Sequence, residues 1–395
     1  MIVFKECFWQ GRPTPFDLIT ANFANFASSI FEMKTTHKIF FKPSQDMSVL
    51  ADNSISEIIT SPPYPMILMW DEIMSLQNEN IAQALKDGKA GLAFEEMHKE
   101  LDKVWRECYR VLIPGGFLCI NIGDATRTVN GEFSLYNNHS RIVSSCIALG
   151  FNNLPNIIWR KQTNAPNKFM GSGMLPCGAY VTLEHEYILI FRKGGKREYK
   201  KDIDKSSRKA SAFFWEERNI WFSDVWDLKG VKQKITNSES RERSAAFPFE
   251  IPYRLINMYS QYGDTVLDPF YGMGTTAQAA IALGRNSIGF EIDPKLQRTI
   301  ESNLNCLSIS DYNSLIKSRY DKHISFVNER VVAKGPFKHF NKPLSVDVMT
   351  SQEEDIEFHY LTAIRRGNQD NVLFEVEYEN VSNINLIPKS EGSLF

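Results

Sequence analysis

Residues 264–291 read DTVLDPFYGMGTTAQAAIALGRNSIGFE, and their order of patterns decides the expected fold. Residues 264–267 predict a strand, residues 268–275 a tight turn and residues 276–283 a helix. A second strand is expected over residues 286–291. Repeated strand–turn–helix–strand units build a mostly parallel sheet with helices on both faces. The stretch therefore predicts a doubly wound α/β fold.

The turn over residues 268–275, called the glycine turn below, has the composition of a ligand-binding loop. Gly272 and Gly274 form a GxG pattern and would let the backbone approach a ligand closely. Asp268 and Pro269 fix the turn at the strand end, and Glu291 ends the next strand, where an acid can hold both hydroxyls of a ribose. The third glycine of a pyrophosphate-binding loop is missing, so a nucleoside such as S-adenosylmethionine fits better than NAD. The alternative is a turn whose glycines only let the helix pack on the strand.

Far upstream, the tetrad Ser61, Pro62, Pro63 and Tyr64 follows a strand predicted over residues 55–60. Two prolines remove two N–H donors, so the Ser61 hydroxyl and the Pro62 carbonyl are left as acceptors. The exocyclic amino group of cytosine or adenine is a poor nucleophile, because its lone pair is delocalised into the ring. Two acceptors that grip its hydrogens would aim that lone pair at a methyl donor.

Tyr64 adds a ring on which the base could stack, and a base can reach such a pocket only by leaving the duplex. The alternative interpretation of the tetrad is a proline-rich turn after a strand.

The rest of the chain adds elements around these two motifs. A strand over residues 37–41 precedes a turn with Asp46, and residues 66–92 form a long connection. Because ligands bind beyond the carboxyl ends of parallel strands, Asp46 and the tetrad are expected on the same side of the sheet. The other predicted elements are helices over 94–112 (stopped by residues 114–116), 139–149, 249–262 and 294–304, and strands over 117–122, 155–161 and 181–193, the last two antiparallel.

Residues 194–245 differ in composition from the rest. Between residues 193 and 243 there are 14 Lys and Arg but 9 Asp and Glu, and Trp215, Trp221 and Trp226 lie among them. Basic residues interleaved with aromatic ones are typical of phosphate contact and base stacking. A solvated insertion with a small hydrophobic core is the alternative.

Composition restricts the class of protein. The chain has 395 residues with a net charge of −2, so any nucleic-acid contact must come from a local patch. Its six cysteines form no CxxC pair or Cys/His spacing, which argues against a zinc site and fits a reducing cytoplasm. No signal peptide or transmembrane stretch is expected. The run of residues 184–186 (EHE) is interpreted as strand polarity rather than as a metal site, and no metal is expected; Asp124 and His139 could be phosphate-side or structural.

Together the two motifs resemble those of the β-group of DNA amino-methyltransferases. That family has a (D/N/S)PP(Y/F) motif before an FxGxG motif, with a target-recognition region between them, and residues 61–64 and 270–274 match in this order. The resemblance covers residues 37–305. It implies a Rossmann-like methyltransferase sheet with circularly permuted motif order and S-adenosylmethionine as cofactor.

The resemblance also assigns roles to single residues. The residues that it implies for the target base are Ser61, Pro62 and Tyr64, and those for the cofactor are Asp46, Phe247, Pro248, Asp268, Phe270, Gly272, Gly274, Thr275 and Glu291. In this family a serine at the first tetrad position usually accompanies cytosine-N4 methylation, and an aspartate adenine-N6 methylation. The expected activity is therefore site-specific N4 methylation of a flipped-out cytosine.

Several alternatives stay open. They are adenine-N6 methylation, an RNA substrate, a nucleotide-dependent oxidoreductase and an inactive DNA-binding relative. Cytosine-C5 chemistry is not expected, because Pro176-Cys177 precedes the glycine turn instead of following it.

The resemblance implies double-stranded DNA as a partner, with a restriction endonuclease acting on the same site as a second candidate, no membrane, and a monomer or dimer. The expected divisions of the chain are an N-terminal extension (1–36), a catalytic half (37–193), a target-recognition region (194–245), a cofactor-binding half (246–305) and a C-terminal extension (306–395).

Overall fold

A computed structural model describes residues 33–161, 170–171, 174–230, 247–305, 308–367 and 370–381. Within them the chain forms one eleven-stranded sheet and three two-stranded sheets. The strands are β1 (Met33–Phe40), β2 (Ile55–Thr60), β3 (Leu112–Ile122), β4 (Ala125–Val129), β5 (Glu132–Tyr136), β6 (Phe151–Asn153), β7 (Ile157–Lys161), β8 (Met170–Gly171), β9 (Ala179–Tyr180), β10 (His185–Lys193), β11 (Val225–Leu228), β12 (Thr265–Asp268), β13 (Asn286–Phe290), β14 (His339–Asn341), β15 (Val346–Val348), β16 (His359–Arg366) and β17 (Val372–Asn380).

Helices cover both faces of the large sheet. They are α1 (Asp71–Ser75), α2 (Glu79–Lys86), α3 (Ala90–Val111), α4 (Asn138–Ala148), α5 (Asp202–Ala210), α6 (Trp215–Trp221), α7 (Glu250–Tyr259), α8 (Thr275–Ala282), α9 (Gln297–Asn305) and α10 (Ile309–Lys334), with short 3₁₀ turns at Leu68–Trp70, Pro294–Leu296 and Ser351–Glu353.

The strand order of the large sheet is β11-β7-β10-β3-β2-β12-β13-β1-β17-β16, with β6 beside β10. The five strands from β3 to β1 are parallel, and antiparallel strands flank them on both sides. The chain leaves β2 toward β3 and leaves β12 toward β13, so the connections of two neighbouring strands run in opposite directions. Open α/β sheets bind ligands at such a switch point, beyond the carboxyl ends of the strands. The prediction of a doubly wound α/β fold is confirmed.

Side chains that alternate along the central strands give the sheet a hydrophobic core on each face. In β2, Ile58 joins the core under α3, while Ile59 joins the core under α7 and α8. All six residues of β2 are buried. Fully burying one such aliphatic side chain stabilises the fold by about 1.5–3 kcal/mol, so the strand that precedes the tetrad is firmly held.

The long connection over residues 66–92 is not a loop. It contains the 3₁₀ turn at Leu68–Trp70, α1, α2 and the first turn of α3. Residues 114–116, expected to stop the helix, lie within β3. Helix α3 runs from Ala90 to Val111, against a predicted range of 94–112. Its buried side chains recur every three or four residues and continue to the last turn, so packing carries the helix over its whole length.

Two of the three tryptophans expected to contact bases lie in the hydrophobic core instead. Trp226 is 1% exposed and Trp221 is 6% exposed, whereas Trp215 is 39% exposed. The Trp226 indole donates to the Trp221 carbonyl at 3.1 Å. The predicted stacking role is therefore wrong for Trp221 and Trp226. Strand β11 pairs with β7, so this region supplies an edge of the main sheet; residues 231–246 lie outside the described part.

The segment expected to be a C-terminal extension (306–395) adds strands to the main sheet. Strand β17 pairs with β1 and β16 pairs with β17, so the main sheet continues into this part. The Tyr378 hydroxyl donates to the Ile281 carbonyl of α8 at 2.8 Å. At the other end of the chain, β1 begins at Met33 rather than at residue 37, and residues 1–32 lie outside the described residues, as do 382–395.

Candidate active site

The tetrad and the glycine turn lie side by side at the carboxyl edge of the sheet. Residues 61–64 follow β2, the glycine turn follows β12, and these two strands are hydrogen-bonded neighbours. Asp268 joins the two segments: its carboxylate accepts from the Thr60 hydroxyl at 2.7 Å, from the Thr276 hydroxyl at 2.7 Å and from the Phe270 amide at 3.1 Å. The buried Asp268 side chain thus holds the end of β2 against the start of α8.

The Asp268 carboxyl titrates far from its usual range. Burial raises its pKa to about 7, although the three hydrogen bonds favour the charged form and oppose this rise. The charge of Glu291 adds a smaller increase to the pKa of Asp268.

The backbone of the glycine turn adopts the left-handed conformation that glycine favours. Gly272 has φ of +50° and Gly274 has φ of +82°. The Tyr271 ring closes the inner side of the turn, because a Cβ on Gly274 would lie 3.1 Å from that ring and one on Gly289 of β13 would lie 1.8 Å from it. Beside Gly272 the nearest atom to such a Cβ is a backbone oxygen 3.9 Å away. The turn is therefore packed on one side and open at Gly272, which fits a ligand that approaches the backbone there.

Glu291 lies where the sequence predicts it, immediately after β13. It is 8% exposed, and its carboxylate accepts from the Gly272 amide at 3.0 Å and from the Asp293 amide at 2.9 Å. Burial raises the pKa of Glu291, while the amide bonds oppose this rise. The acid is thus fixed beside the open part of the glycine turn, where hydroxyl groups of a ligand could reach it.

Phe270 is held from below by α3. Its ring packs edge-to-face against Trp105, with ring centroids 6.2 Å apart. Because Trp105 is fully buried, this contact fixes the direction in which the glycine turn leaves the sheet.

The tetrad is part of a hydrogen-bonded cluster. The Ser61 Oγ lies 3.2 Å from the Tyr64 hydroxyl, which donates to Glu186 Oε2 at 2.8 Å. Asn121 Nδ2 donates to the Tyr64 oxygen at 2.8 Å and to Glu186 Oε2 at 2.6 Å, and Lys161 forms an ion pair with Glu186 Oε1. Burial, and then the charge of Glu186, raise the pKa of the Tyr64 phenol well above its usual value, so Tyr64 stays protonated.

Asn121 and Glu186 were missed as site residues from the sequence. The antiparallel direction of β10 places its first residues at the carboxyl end of β3, and Tyr187 pairs with Ile122. The predicted antiparallel strand was the signal that could have located Glu186, since an antiparallel neighbour begins where a parallel strand ends. The interpretation of residues 184–186 as ordinary strand polarity is therefore wrong for Glu186.

Three residues assigned to the cofactor have other surroundings. Asp46 follows β1 at the same edge of the sheet, but its side chain is 69% exposed, accepts from the Ser48 amide and pairs with Lys42. Phe247 is 7% exposed and packs in the hydrophobic core, and the Pro248 carbonyl accepts from the Ile251 amide at the start of α7. A cofactor contact of these three residues stays a prediction.

Asp124 and His139 form a pair at the end of β3. The Asp124 carboxylate lies 2.7 Å from His139 Nδ1 and accepts from the His139 amide at 3.1 Å. The His139 ring stacks on Tyr187, with centroids 4.0 Å apart. The pair fixes the first turn of α4 to the sheet.

Comparison with known proteins identifies the family. A family model described as DNA methylase, covering N6 and N4 amino-methyltransferases, matches residues 55–302. The chain belongs to this DNA methylase family. It is 49% identical over 362 residues to the Type II methyltransferase M.MthZI of Methanothermobacter thermautotrophicus, covering 91% of this chain and 98% of that relative. It is 50% identical over 285 residues to M.MjaI of Methanocaldococcus jannaschii, covering 69% and 92%.

A solved structure supports the fold of the methylase. A DNA modification methylase from Thermus thermophilus, in complex with S-adenosyl-L-methionine, aligns with a TM-score of 0.53 and 29% identity, covering 68% of this chain and 93% of that chain. The predicted β-group DNA amino-methyltransferase is therefore confirmed, and the chain is a DNA methyltransferase. Family membership decides against a nucleotide-dependent oxidoreductase.

The described ranges hold neither a metal-ligand cluster nor a helix that could cross a membrane. The methylase has no cluster of three or more His, Cys, Asp or Glu there that could hold a metal ion. Among the helices of those ranges, none combines the length and the apolar character that crossing a membrane requires.

Proposed function

We propose that this methylase transfers a methyl group from S-adenosylmethionine to the N4 amino group of a flipped-out cytosine at a specific site in duplex DNA. The observation that carries the choice of base is Ser61 at the first tetrad position, beside the glycine turn. The uncharged Ser61 hydroxyl accepts from the amino group, together with the Pro62 carbonyl. Tyr64 provides the ring on which the extruded base stacks.

The glycine turn and Glu291 hold the cofactor. The open backbone at Gly272 and the N-terminal end of α8 at Thr275 receive its methionine part, since a helix N-terminus favours a carboxylate. Glu291, which the Gly272 amide holds in place, accepts from the ribose hydroxyls in this proposal. Bound S-adenosylmethionine supplies an electrophilic sulfonium methyl group, and the protein contributes position and hydrogen-bond acceptors.

Product analysis tests the base. The chain is expressed with a plasmid, the DNA is digested to nucleosides, and the nucleosides are measured by mass spectrometry. N4-methylcytosine is the expected product. N6-methyladenine would overturn the cytosine assignment and favour the second candidate, adenine-N6 methylation, which the family model also includes. Methylation of RNA in a parallel incubation, with none on DNA, would overturn the DNA substrate.

A Ser61→Ala variant tests the tetrad. Methylation is expected to fall by about two orders of magnitude or more, because the variant lacks one positioned acceptor in the transition state. Binding of S-adenosylmethionine, measured by calorimetry, is expected to be unchanged. The exposed Ser48→Ala serves as the matched control. Unchanged methylation by Ser61→Ala would remove Ser61 from the mechanism, and loss of cofactor binding would indicate a structural role.

The relatives named Type II methyltransferases support a place in restriction and modification. We infer that the methylase works in the cytoplasm, as a monomer or dimer, and protects its site against an endonuclease that cuts the same sequence. Plasmid DNA from cells that express the methylase should resist that endonuclease, and unmodified plasmid should be cut.

A further inference from the structure

A continuous chain of hydrogen-bonding groups runs from Ser61 into the protein. It passes from Ser61 Oγ to the Tyr64 hydroxyl, 3.2 Å away, and from there to Glu186 Oε2, 2.8 Å away. Glu186 is 8% exposed, so the chain ends on a carboxylate that is largely removed from water. This series of hydrogen bonds begins at Ser61, which the proposed function places on the target base. It ends at Glu186, which is not part of the tetrad.

The direction of each hydrogen bond follows from the chemistry of the partners. A carboxylate only accepts, so Tyr64 donates its proton to Glu186. Asn121 Nδ2 already donates to both the Tyr64 oxygen and Glu186, at 2.8 Å and 2.6 Å. The Tyr64 oxygen can then only accept from Ser61. The Ser61 proton therefore points inward, and its oxygen turns lone pairs outward toward the base.

The charges around Glu186 come from three elements. Tyr64 faces it from the segment after β2, Lys161 pairs with Oε1 from the end of β7, and the uncharged Asn121 faces it from β3. Burial keeps the pKa of Tyr64 high, so Tyr64 remains a donor across the neutral range. The carboxylate has one cation to balance its charge and a neutral phenol through which a proton can arrive.

Methylation of an amino group releases one proton. The N–CH₃ bond forms as the S–CH₃ bond breaks, the bonding pair of the latter stays on sulfur, and the alkylated nitrogen must then lose one hydrogen to become neutral. We propose that this proton is passed to Glu186, in a relay through Ser61 and Tyr64. The nitrogen gives its proton to Ser61 Oγ, Ser61 gives its own to the Tyr64 oxygen, and Tyr64 gives its own to Glu186.

Glu186 does not touch the substrate and acts through Tyr64, so it is a positioning residue and proton acceptor rather than a catalytic residue. The proposal rests on the proposed amino-methyltransferase function but not on the choice of base, since N4 of cytosine and N6 of adenine release the same proton.

The test compares full-length Glu186→Gln with the wild-type chain in single-turnover methylation between about pH 5.5 and 9. The amide oxygen of the variant still accepts from Tyr64 but takes up no proton. The rate of the variant is expected to be lower by about 10²-fold across this range, as for loss of a general base. Glu184→Gln, an exposed acid two residues away, is the matched control. A Glu186→Gln rate within twofold of wild type across this range would overturn the relay.

Tyr64→Phe gives a second test that keeps the ring. It is expected to lower the single-turnover rate as Glu186→Gln does, while the KM for duplex DNA changes little because the stacking ring is retained. A changed KM with a wild-type single-turnover rate would indicate that Glu186 only orients the ring and would overturn the proposal.

Infrared spectroscopy of the free enzyme tests the hydrogen bond between Tyr64 and Glu186 without methyl transfer. A carboxylate band that is absent in Glu186→Gln should shift in Tyr64→Phe, since the hydrogen bond is lost. A band that does not respond to Tyr64→Phe would overturn the relay even if no DNA substrate is methylated. Product analysis, by contrast, reports on the proposed function alone, so the two failures are distinguishable.

Discussion

Asp268 links the two halves of the site, the tetrad after β2 and the glycine turn after β12. It is 4% exposed, accepts from Thr60, Thr276 and Phe270, and still has a pKa of about 7. Removing a carboxylate from water costs more than these three bonds return when the group is charged. The glycine turn is thus held by a side chain that changes its charge near neutral pH.

Asp268→Asn should therefore alter the pH dependence of stability. The pKa of Asp268 is near 3.8 in the unfolded chain and near 7 in the folded protein. Below about pH 4 the carboxyl is protonated in both states, and its contribution to the free energy of unfolding is at its maximum. As pH rises to 7, the unfolded chain loses its proton first and the free energy of unfolding falls, by no more than about 4 kcal/mol. In Asp268→Asn the free energy of unfolding should lack this part of its dependence on pH.

Urea unfolding at a series of pH values measures the effect. The exposed Asp46→Asn is the control and should leave the slope between pH 4 and 7 as in wild type. Equal slopes for Asp268→Asn and wild type would mean that Asp268 is charged throughout this range.

At the scale of elements, the sequence predicts the strands and turns whose conformation neighbouring residues determine. The run ISEIIT of β2 and the stretch from β12 to β13 were located correctly, because apolar period and glycine positions are local signals. Glu186 reaches the site only because β10 pairs antiparallel with β3, across about seventy residues. Trp221 and Trp226 are buried by distant segments, since the Arg319 guanidinium of α10 lies over Trp221 and the Arg254 guanidinium of α7 lies over Trp226. Pairings between distant segments leave little pattern in either segment: the antiparallel direction of β10 was the one local signal for Glu186, and none marked the burial of the two tryptophans.

A buried ion pair locks two elements that the sequence assigned to different parts. Arg319 of α10 donates to Glu217 of α6 from Nε at 2.5 Å and from Nη2 at 2.7 Å. The Arg319 side chain is 6% exposed, and its guanidinium lies over the rings of Trp221 and Phe358. The pair ties the region before β11 to the long C-terminal helix.

Glu217→Ala should destabilise the protein by about 3–5 kcal/mol, because it leaves the buried Arg319 charge without its partner. The double variant Glu217→Leu/Arg319→Leu should recover much of this loss, since no charge remains buried. Urea unfolding monitored by tryptophan fluorescence gives the free energies. The exposed pair of Lys317 and Asp321 on the same helix is the control, and Lys317→Ala should cost less than about 1 kcal/mol. Similar losses for Glu217→Ala and Lys317→Ala would contradict a buried role for Arg319.

At the scale of the molecule, the eleven-stranded sheet takes strands from near both ends of the described chain. Residues before the glycine turn supply β11 at one edge, and residues after it supply β17 and β16 at the other. A strand at the edge of a parallel core leaves backbone groups unpaired, and β17 pairs those of β1. The C-terminal strands therefore complete the half of the sheet that carries Glu291.

Tyr378 provides a test of whether the C-terminal strands unfold together with the rest of the sheet. Its side chain is 2% exposed, its hydroxyl donates to the Ile281 carbonyl at 2.8 Å, and it lies 3.0 Å from the Thr35 hydroxyl, so it joins β17 to α8 and β1. Tyr378→Phe should cost about 1–3 kcal/mol, because the Ile281 carbonyl loses one of its donors and the buried Thr35 hydroxyl loses a partner. In a calorimetric scan the whole protein should unfold in one transition that moves to lower temperature. The half-exposed Tyr180→Phe should leave it in place. Two transitions, of which only one moves in Tyr378→Phe, would contradict a single cooperative unit, because a separately folded C-terminal part would lose stability without affecting the glycine turn.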